Sequence, residues 1–147
     1  MAEKKISELT AKGAALAPTD LMVISEVSGA SYITKSITGA NIINPRVQSV
    51  TSSATVTATS LNDLVRITAQ AAALTLDNPT GTFAEGQALI FRIKDNGTAR
   101  AITFGAKFRA VGVTLPTTTT ISKTTYVGCI YNSTDDKFDV IASLTQA

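Results

Sequence analysis

From Val47 onward the chain alternates apolar and polar residues with a period of two, in short runs separated by turn-forming residues. Such alternation sends successive side chains to opposite faces of an extended strand, one toward a core and one toward water. It predicts eight strands: Ala54 to Ala58, Leu64 to Thr68, Ala73 to Leu76, Gln87 to Lys94, Ala101 to Phe104, Phe108 to Leu115, Thr120 to Tyr131 and Phe138 to Leu144. The breaks carry turn chemistry at Asn62-Asp63, Asp77-Asn78-Pro79-Thr80-Gly81, Asp95-Asn96-Gly97, Pro116 and Asn132 to Asp136. Within Gln87 to Phe104 the Asn96-Gly97 pair predicts an antiparallel hairpin. Leu89, Phe91 and Ile93 share one face of its first strand, while Ile90, Arg92 and Lys94 share the other. The predicted core is Leu89, Phe91, Ile93, Phe104 and Phe138, joined by Val65, Ile67, Leu74, Leu76, Ile102 and Val140. Strands at this spacing suit a sandwich, a jelly roll or a barrel. The reading is an all-β chain whose residues 47–147 form an antiparallel β-sandwich, jelly-roll-like in arrangement.

Residues 1–46 follow a different pattern and read as an attachment arm. Ile6 to Leu9 is a short apolar clasp, and Leu21 to Val27 and Tyr32 to Ile37 are two strands around Ser28-Gly29-Ala30-Ser31. A single hairpin cannot enclose its own apolar residues. Ile6, Leu9, Leu21, Val23, Ile33 and Ile37 therefore need a covering surface, supplied by the larger domain or by another protein. The segment Gly39 to Asn44 has the makings of one helical turn, and Pro45 marks a linker.

Composition narrows the chemistry. A chain of 147 residues with 44% hydrophobic content can enclose a core without cross-links. Threonine at about one residue in six favours strands. There is no histidine, no tryptophan and one cysteine, so the side chains most used for acid-base catalysis and transition-metal ligation are nearly absent. Cys129 lies in an apolar strand and reads as a small core residue. Without histidine no Ser-His-Asp arrangement can form, and a Ser-Lys site would need a buried lysine, whereas Lys107 and Lys123 sit beside turns. Gly81 to Ala88 has the glycine spacing of a phosphate loop but offers Gln87 and Ala88 where lysine and a hydroxyl are needed. Asp135, Asp136 and Asp139 lack the glycine and terminal glutamate of a calcium loop. Asn96-Gly97-Thr98 and Asn132-Ser133-Thr134 match the glycosylation pattern, read as chance matches in loops. No catalytic residue, metal site or cofactor is expected.

Net charge is +2, which gives no general affinity for polyanions. Arg92, Lys94, Arg100, Lys107 and Arg109 do outnumber Asp95 locally, and they read first as solvent-facing charges on an outer strand face, with a patch that meets an acidic protein surface or nucleic acid as the alternative. No aromatic interleaves them on that face, so a nucleic-acid partner is not expected. The N-terminus shows no signal-peptide core and no run reaches membrane-spanning length, which gives synthesis in the cytoplasm and no membrane partner as expectations.

The residues also resemble a family. Lys5-Ile6-Ser7-Glu8-Leu9, Leu21 to Val27 and Gly29 to Lys35 resemble the N-terminal attachment module of tailed-bacteriophage fibre and decoration proteins. Asp77 to Thr82, Gly86-Gln87, Phe91 to Phe104, Val111 to Pro116 and Lys137 to Val140 are similar to a β-rich domain recurring in phage virion proteins. The resemblance implies a non-enzymatic virion component, a homotrimer, bound to the particle by its N-terminal piece. The shortness of the chain favours a capsid decoration or head-fibre protein on the capsid surface, partnered with the major capsid protein or another virion protein. The alternative is a tail, baseplate or tail-fibre component acting as a receptor- or carbohydrate-binding adhesin.

Overall fold

A computed structural model describes residues 17–28 and 31–147. The chain divides into two compact units after Asn44. In the first, β1 (Leu21–Ser28) and β2 (Ser31–Thr38) form an antiparallel two-stranded sheet in which Leu21 pairs with Thr38 and Ser28 with Ser31. One turn of helix, α1 (Ala40–Ile43), follows and is closed by the Asn44 amide donating to the Ala40 carbonyl (3.0 Å). The Gly39 amide donates to the Asp20 carbonyl (2.7 Å), joining the two ends of the hairpin.

The second unit is almost entirely β. Its strands are β3 (Val47–Val50), β4 (Thr55–Val56), β5 (Leu64–Gln70), β6 (Leu74–Leu76), β7 (Ala88–Asp95), β8 (Ile102–Phe104), β9 (Phe108–Ala110), β10 (Thr124–Asn132) and β11 (Lys137–Thr145). They form a six-stranded sheet in the order β3-β5-β7-β10-β11-β9 and a three-stranded sheet in the order β4-β6-β8. From β3 to β8 the chain changes sheet at every strand. Strands β3, β5 and β7 are parallel to one another, as are β4, β6 and β8. The chain thus winds through three circuits, each laid on the one before, and then closes with β10 and β11, which are antiparallel. β9 returns to pair in parallel with the outer edge of β11.

Two expectations are corrected here. The domain is not an antiparallel sandwich, because both sheets contain parallel strands. The hairpin across Asp95-Asn96-Gly97 does not form either: β7 and β8 lie in different sheets, and β7 pairs with β5 and β10. A two-residue hairpin turn of the common type needs positive φ at both central residues. Gly97 has it (φ 105), but Asn96 does not. Asp95 is buried, and its carboxylate accepts hydrogen bonds from the Gly97 amide (2.7 Å), the Ser122 amide (3.0 Å) and the Thr119 hydroxyl (2.7 Å). Those bonds hold the chain in a corner that carries it to the other sheet.

Inward residues of both sheets meet in one core. Val65, Ile67, Leu89, Phe91, Ile93, Val127, Phe138 and Val140 come from the large sheet, and Val56, Leu74, Leu76 and Ile102 from the small one. Leu89, Phe91, Ile93 and Phe138 are fully buried, and Phe104 is partly buried against them. Phe83, Phe91, Phe104, Phe108, Tyr131 and Phe138 make a chain of ring contacts with centroids 4.8 to 5.8 Å apart. Such tilted and edge-on pairs add roughly 0.5–1.5 kcal/mol each beyond area burial. On the outside of the small sheet, Thr55, Thr75 and Thr103 are aligned by register, with the Thr75 and Thr103 hydroxyls 2.9 Å apart. This ladder is one use the fold makes of threonine, whose branched side chain suits an exposed strand position.

Arg46 shows why the second unit begins before the first circuit. Its guanidinium grips both carboxylate oxygens of Asp63 (2.6 and 3.1 Å), and its amide also donates to Asp63 (2.8 Å). That clamp joins the chain ahead of β3 to the start of β5, so Pro45 and Arg46 belong with the β domain.

Candidate functional site

The outward face of the large sheet carries the main candidate. Strand register places residues there in rows across the sheet. One row runs Ser49, Arg66, Arg92, Tyr126 and Leu144, and the next along places Lys94 opposite Thr124. The preceding row runs Val47, Leu64, Ile90, Gly128 and Ala142. No acidic residue occupies any of these positions.

On this face Thr68, Arg92, Lys94, Thr124, Tyr126 and Gln146 line an open cleft of about 410 Å³. Four features of the chain build it. The alternation of β7 turns Arg92 and Lys94 outward while Leu89, Phe91 and Ile93 turn in. A bulge interrupts the β5–β7 register between Ile67 and Gln70, and Thr68 lies in it. Bulges locally bend a strand and redirect its side chains. The Gln146 amide donates to the Thr124 carbonyl (2.8 Å), which holds the C-terminal end of the chain beside β10. Lys94 Nζ donates to the Ser122 carbonyl oxygen (2.6 Å), fixing the ammonium at the rim.

The electrostatics of the cleft are one-sided. Arg66 and Arg92 are register partners on neighbouring strands, with Lys94 two residues beyond Arg92. Arg66 donates to the Ser49 hydroxyl (3.1 and 3.3 Å). Among the described residues none of the three cations forms an ion pair, and Arg92 has no hydrogen-bond partner. Like charges set side by side across strands are unfavourable. Tyr126 stands next to Arg92 and is 42% exposed. The other aromatics of the β domain belong to the ring cluster of the core.

Lys107 and Arg109, further basic residues of the 92–109 stretch, are deployed in ion pairs elsewhere. Lys107 pairs with Asp136 (2.8 Å), and Arg109 pairs with Asp139 (2.7 Å) and Asp135 (2.8 Å). Hydrogen bonds from Arg109 and Lys107 hold the Asp139 and Asp136 carboxyls below their ordinary range. These carboxylates are engaged with Lys107 and Arg109, and no metal-ligating group of three or more occurs among the described residues. Cys129 is buried with its thiol against the Leu89 carbonyl (3.1 Å), and burial pushes its pKa up to about 12, far from the range of a nucleophilic thiolate.

The predicted attachment residues are placed as follows. Ile6 and Leu9 lie outside the described residues, as does the side chain of Ile33. Leu21 and Val23 are 68% and 53% exposed on β1, with Met22 exposed between them, and Ile37 is half-buried. Of the cleft lining, the sequence pattern alone marks Arg92 and Lys94. Its cations were visible as outward positions of one strand, but their neighbours Tyr126, Thr68 and Gln146 are set beside them only by register between distant strands.

No protein-family model matches the chain, and no curated protein or solved structure matches it.

Proposed function

We propose that this protein is a non-enzymatic structural component of a tailed-bacteriophage virion. In this reading it decorates the capsid surface, binding the major capsid protein through its N-terminal arm and stabilising the head. The observation that carries the reading is the exposed apolar run Leu21, Met22 and Val23 on a sheet of two strands, in a unit separate from a β domain that has its own core. Exposed apolar side chains clustered on a small element mark an interaction surface, and each adds roughly 1.5–3 kcal/mol when fully buried by a partner. The resemblance of residues 5–35 to phage attachment modules supplies the kind of partner. Homotrimerisation is implied by the same resemblance, and the exposed Ile90 and Ile141 offer apolar surface to it. Several arms around a symmetry axis would strengthen attachment through effective concentration.

Co-sedimentation with undecorated heads tests the assignment. Full-length protein is expected to pellet with the heads and to raise their rupture temperature, whereas a Leu21→Glu, Val23→Glu double variant is expected to stay in the supernatant. Equal pelleting of the two proteins would overturn the attachment role of β1. Light scattering on the purified protein is expected to give about three times the chain mass, as a closed symmetric oligomer would.

A second reading, a tail or fibre adhesin, is favoured by one observation, the unneutralised cationic cleft beside Tyr126.

A further inference from the structure

We infer that the outer cleft of the large sheet binds an acidic saccharide, with the sugar ring against Tyr126 and its anionic group on Arg92 and Lys94. Three features point to this class of ligand.

The first is charge. The cleft gathers Arg92 and Lys94, with Arg66 in the adjoining register position, and no acidic side chain shares their rows. Arg92 has no partner among the described residues, so its fork of donors is available to a carboxylate, sulfate or phosphate, which it matches two oxygens at a time. Lys94, fixed by the Ser122 carbonyl, adds a point charge at the rim.

The second is the kind of lining. Thr68, Thr124 and Gln146 bring two hydroxyls and an amide to the same cleft as the Tyr126 ring. Neutral donors and acceptors around one exposed aromatic suit the hydroxyls and the apolar face of a sugar. A nucleic acid strand would need a succession of aromatics for its bases, and the described part of this face offers Tyr126 alone.

The third is size and rigidity. A volume of about 410 Å³ falls within the range of small-ligand sites, which is roughly 300–1,000 Å³. The lining residues stand largely on hydrogen-bonded strands whose opposite faces are packed in the core, so the site is formed before any ligand arrives.

A ligand site here deepens the second reading above. The experiment uses isolated full-length protein, so its failure is distinguishable from a failure of capsid attachment, which is read on particles. Calorimetric titrations with sialyllactose, a sulfated chondroitin disaccharide, lactose and inorganic sulfate separate the contributions. Both acidic sugars are expected to bind, with an affinity that falls as salt is raised, and lactose and sulfate are each expected to bind at least roughly tenfold more weakly. Arg92→Gln and Lys94→Gln should each weaken the acidic sugars by about tenfold or more, and Tyr126→Ala should weaken the sugars while leaving sulfate unchanged. Thermal melts of the variants matching the parent show that folding is intact. Lack of binding by either acidic sugar, equal binding of lactose, or indifference to both the Arg92 and Tyr126 changes would overturn the assignment. So would sulfate binding as tightly as the sugars, or a single-stranded oligonucleotide displacing them.

Discussion

Gln70 and Asp95 are register partners on β5 and β7, and both are buried at the same corner of successive circuits. Each performs the same task by a different chemistry. The Gln70 amide donates to the carbonyls of Ser53 and Ala72 (2.7 Å each) and accepts from the Ser53 amide (3.3 Å), so it ties its own corner to the one before. Asp95 gathers the donors of its own turn and of the 119–122 segment. A chain that leaves one sheet for another strands backbone groups at the bend, and buried groups of this kind must be paired.

Asp95→Asn is expected to destabilise the domain by roughly 1–3 kcal/mol at neutral pH, since one carboxylate oxygen that accepts hydrogen bonds becomes a donor facing donors. Burial pushes the Asp95 carboxyl up, the largest single influence, but the hydrogen bonds from Thr119, Ser122, Gly97 and Thr98 together outweigh it and hold the pKa below its ordinary value. With a folded value below the unfolded one, the stabilisation is complete above the ordinary carboxylate range and is lost as pH falls through the folded value. Melting curves from neutral pH to about pH 3 should therefore show the parent and variant converging in acid. A gap that stays constant with pH would contradict this role.

Phe91 is fully buried at the centre of the large sheet, in an edge-on contact with Phe108. Phe91→Ala should cost about 3–5 kcal/mol in denaturant unfolding, as lost transfer energy and a residual cavity combine. A loss below about 1 kcal/mol would mean that the site collapses around the vacancy.

Gly105 sits where the chain turns from β8 toward β9, pressed against Asn78. A Cβ placed there would lie 2.5 Å from Asn78 Oδ1 and 2.7 Å from the Asn78 backbone nitrogen. The same Oδ1 accepts from the Lys107 amide (2.8 Å), so it cannot swing aside without breaking that bond. Gly105→Ala is expected to destabilise by about 1–3 kcal/mol, measured as a lowered Tm, whereas alanine in place of Gly86, which has open space around it but a positive φ, should be penalised by backbone strain alone.

A protein comprising residues 45–147 should melt cooperatively, because the Arg46–Asp63 clamp, the three circuits and the closing hairpin all fall within it. A broad, non-cooperative transition by circular dichroism would show that the arm contributes to the fold.

The strands themselves were legible because their inward faces are apolar and their outward faces are not. Leu89, Phe91 and Ile93 alternate with Ile90, Arg92 and Lys94 whichever way the neighbouring strand runs. That indifference hid the topology. Parallel neighbours ordinarily need a long crossover, commonly a helix. Here the crossover is a strand of the other sheet, so the corners after β3, β5 and β7 are short, spanning only residues 51–54, 71–73 and 96–101. Asn96-Gly97 looked like a hairpin for this reason, and only the buried carboxylate of Asp95 distinguishes a corner from a turn. β3 escaped notice because Val47 to Val50 is half-exposed and too short to show a period. The cleft was beyond reach for a related reason: Arg92 meets Tyr126 through pairing across 34 positions of sequence, and no local pattern carries that information.

The circuit architecture makes the domain asymmetric in its capacity for change. At one end, β3 and β4 are edge strands of their sheets, and a further circuit laid on them would need little more than inward aliphatic residues and a polar corner like that of Gln70. In the large sheet, β10 runs against the winding and, with β11 paired antiparallel to it, caps it, so no circuit can be added beyond β7 without rebuilding the cleft. Insertions between the arm and β3 would lengthen the protein while leaving the surface that carries Arg92 and Tyr126 as it is.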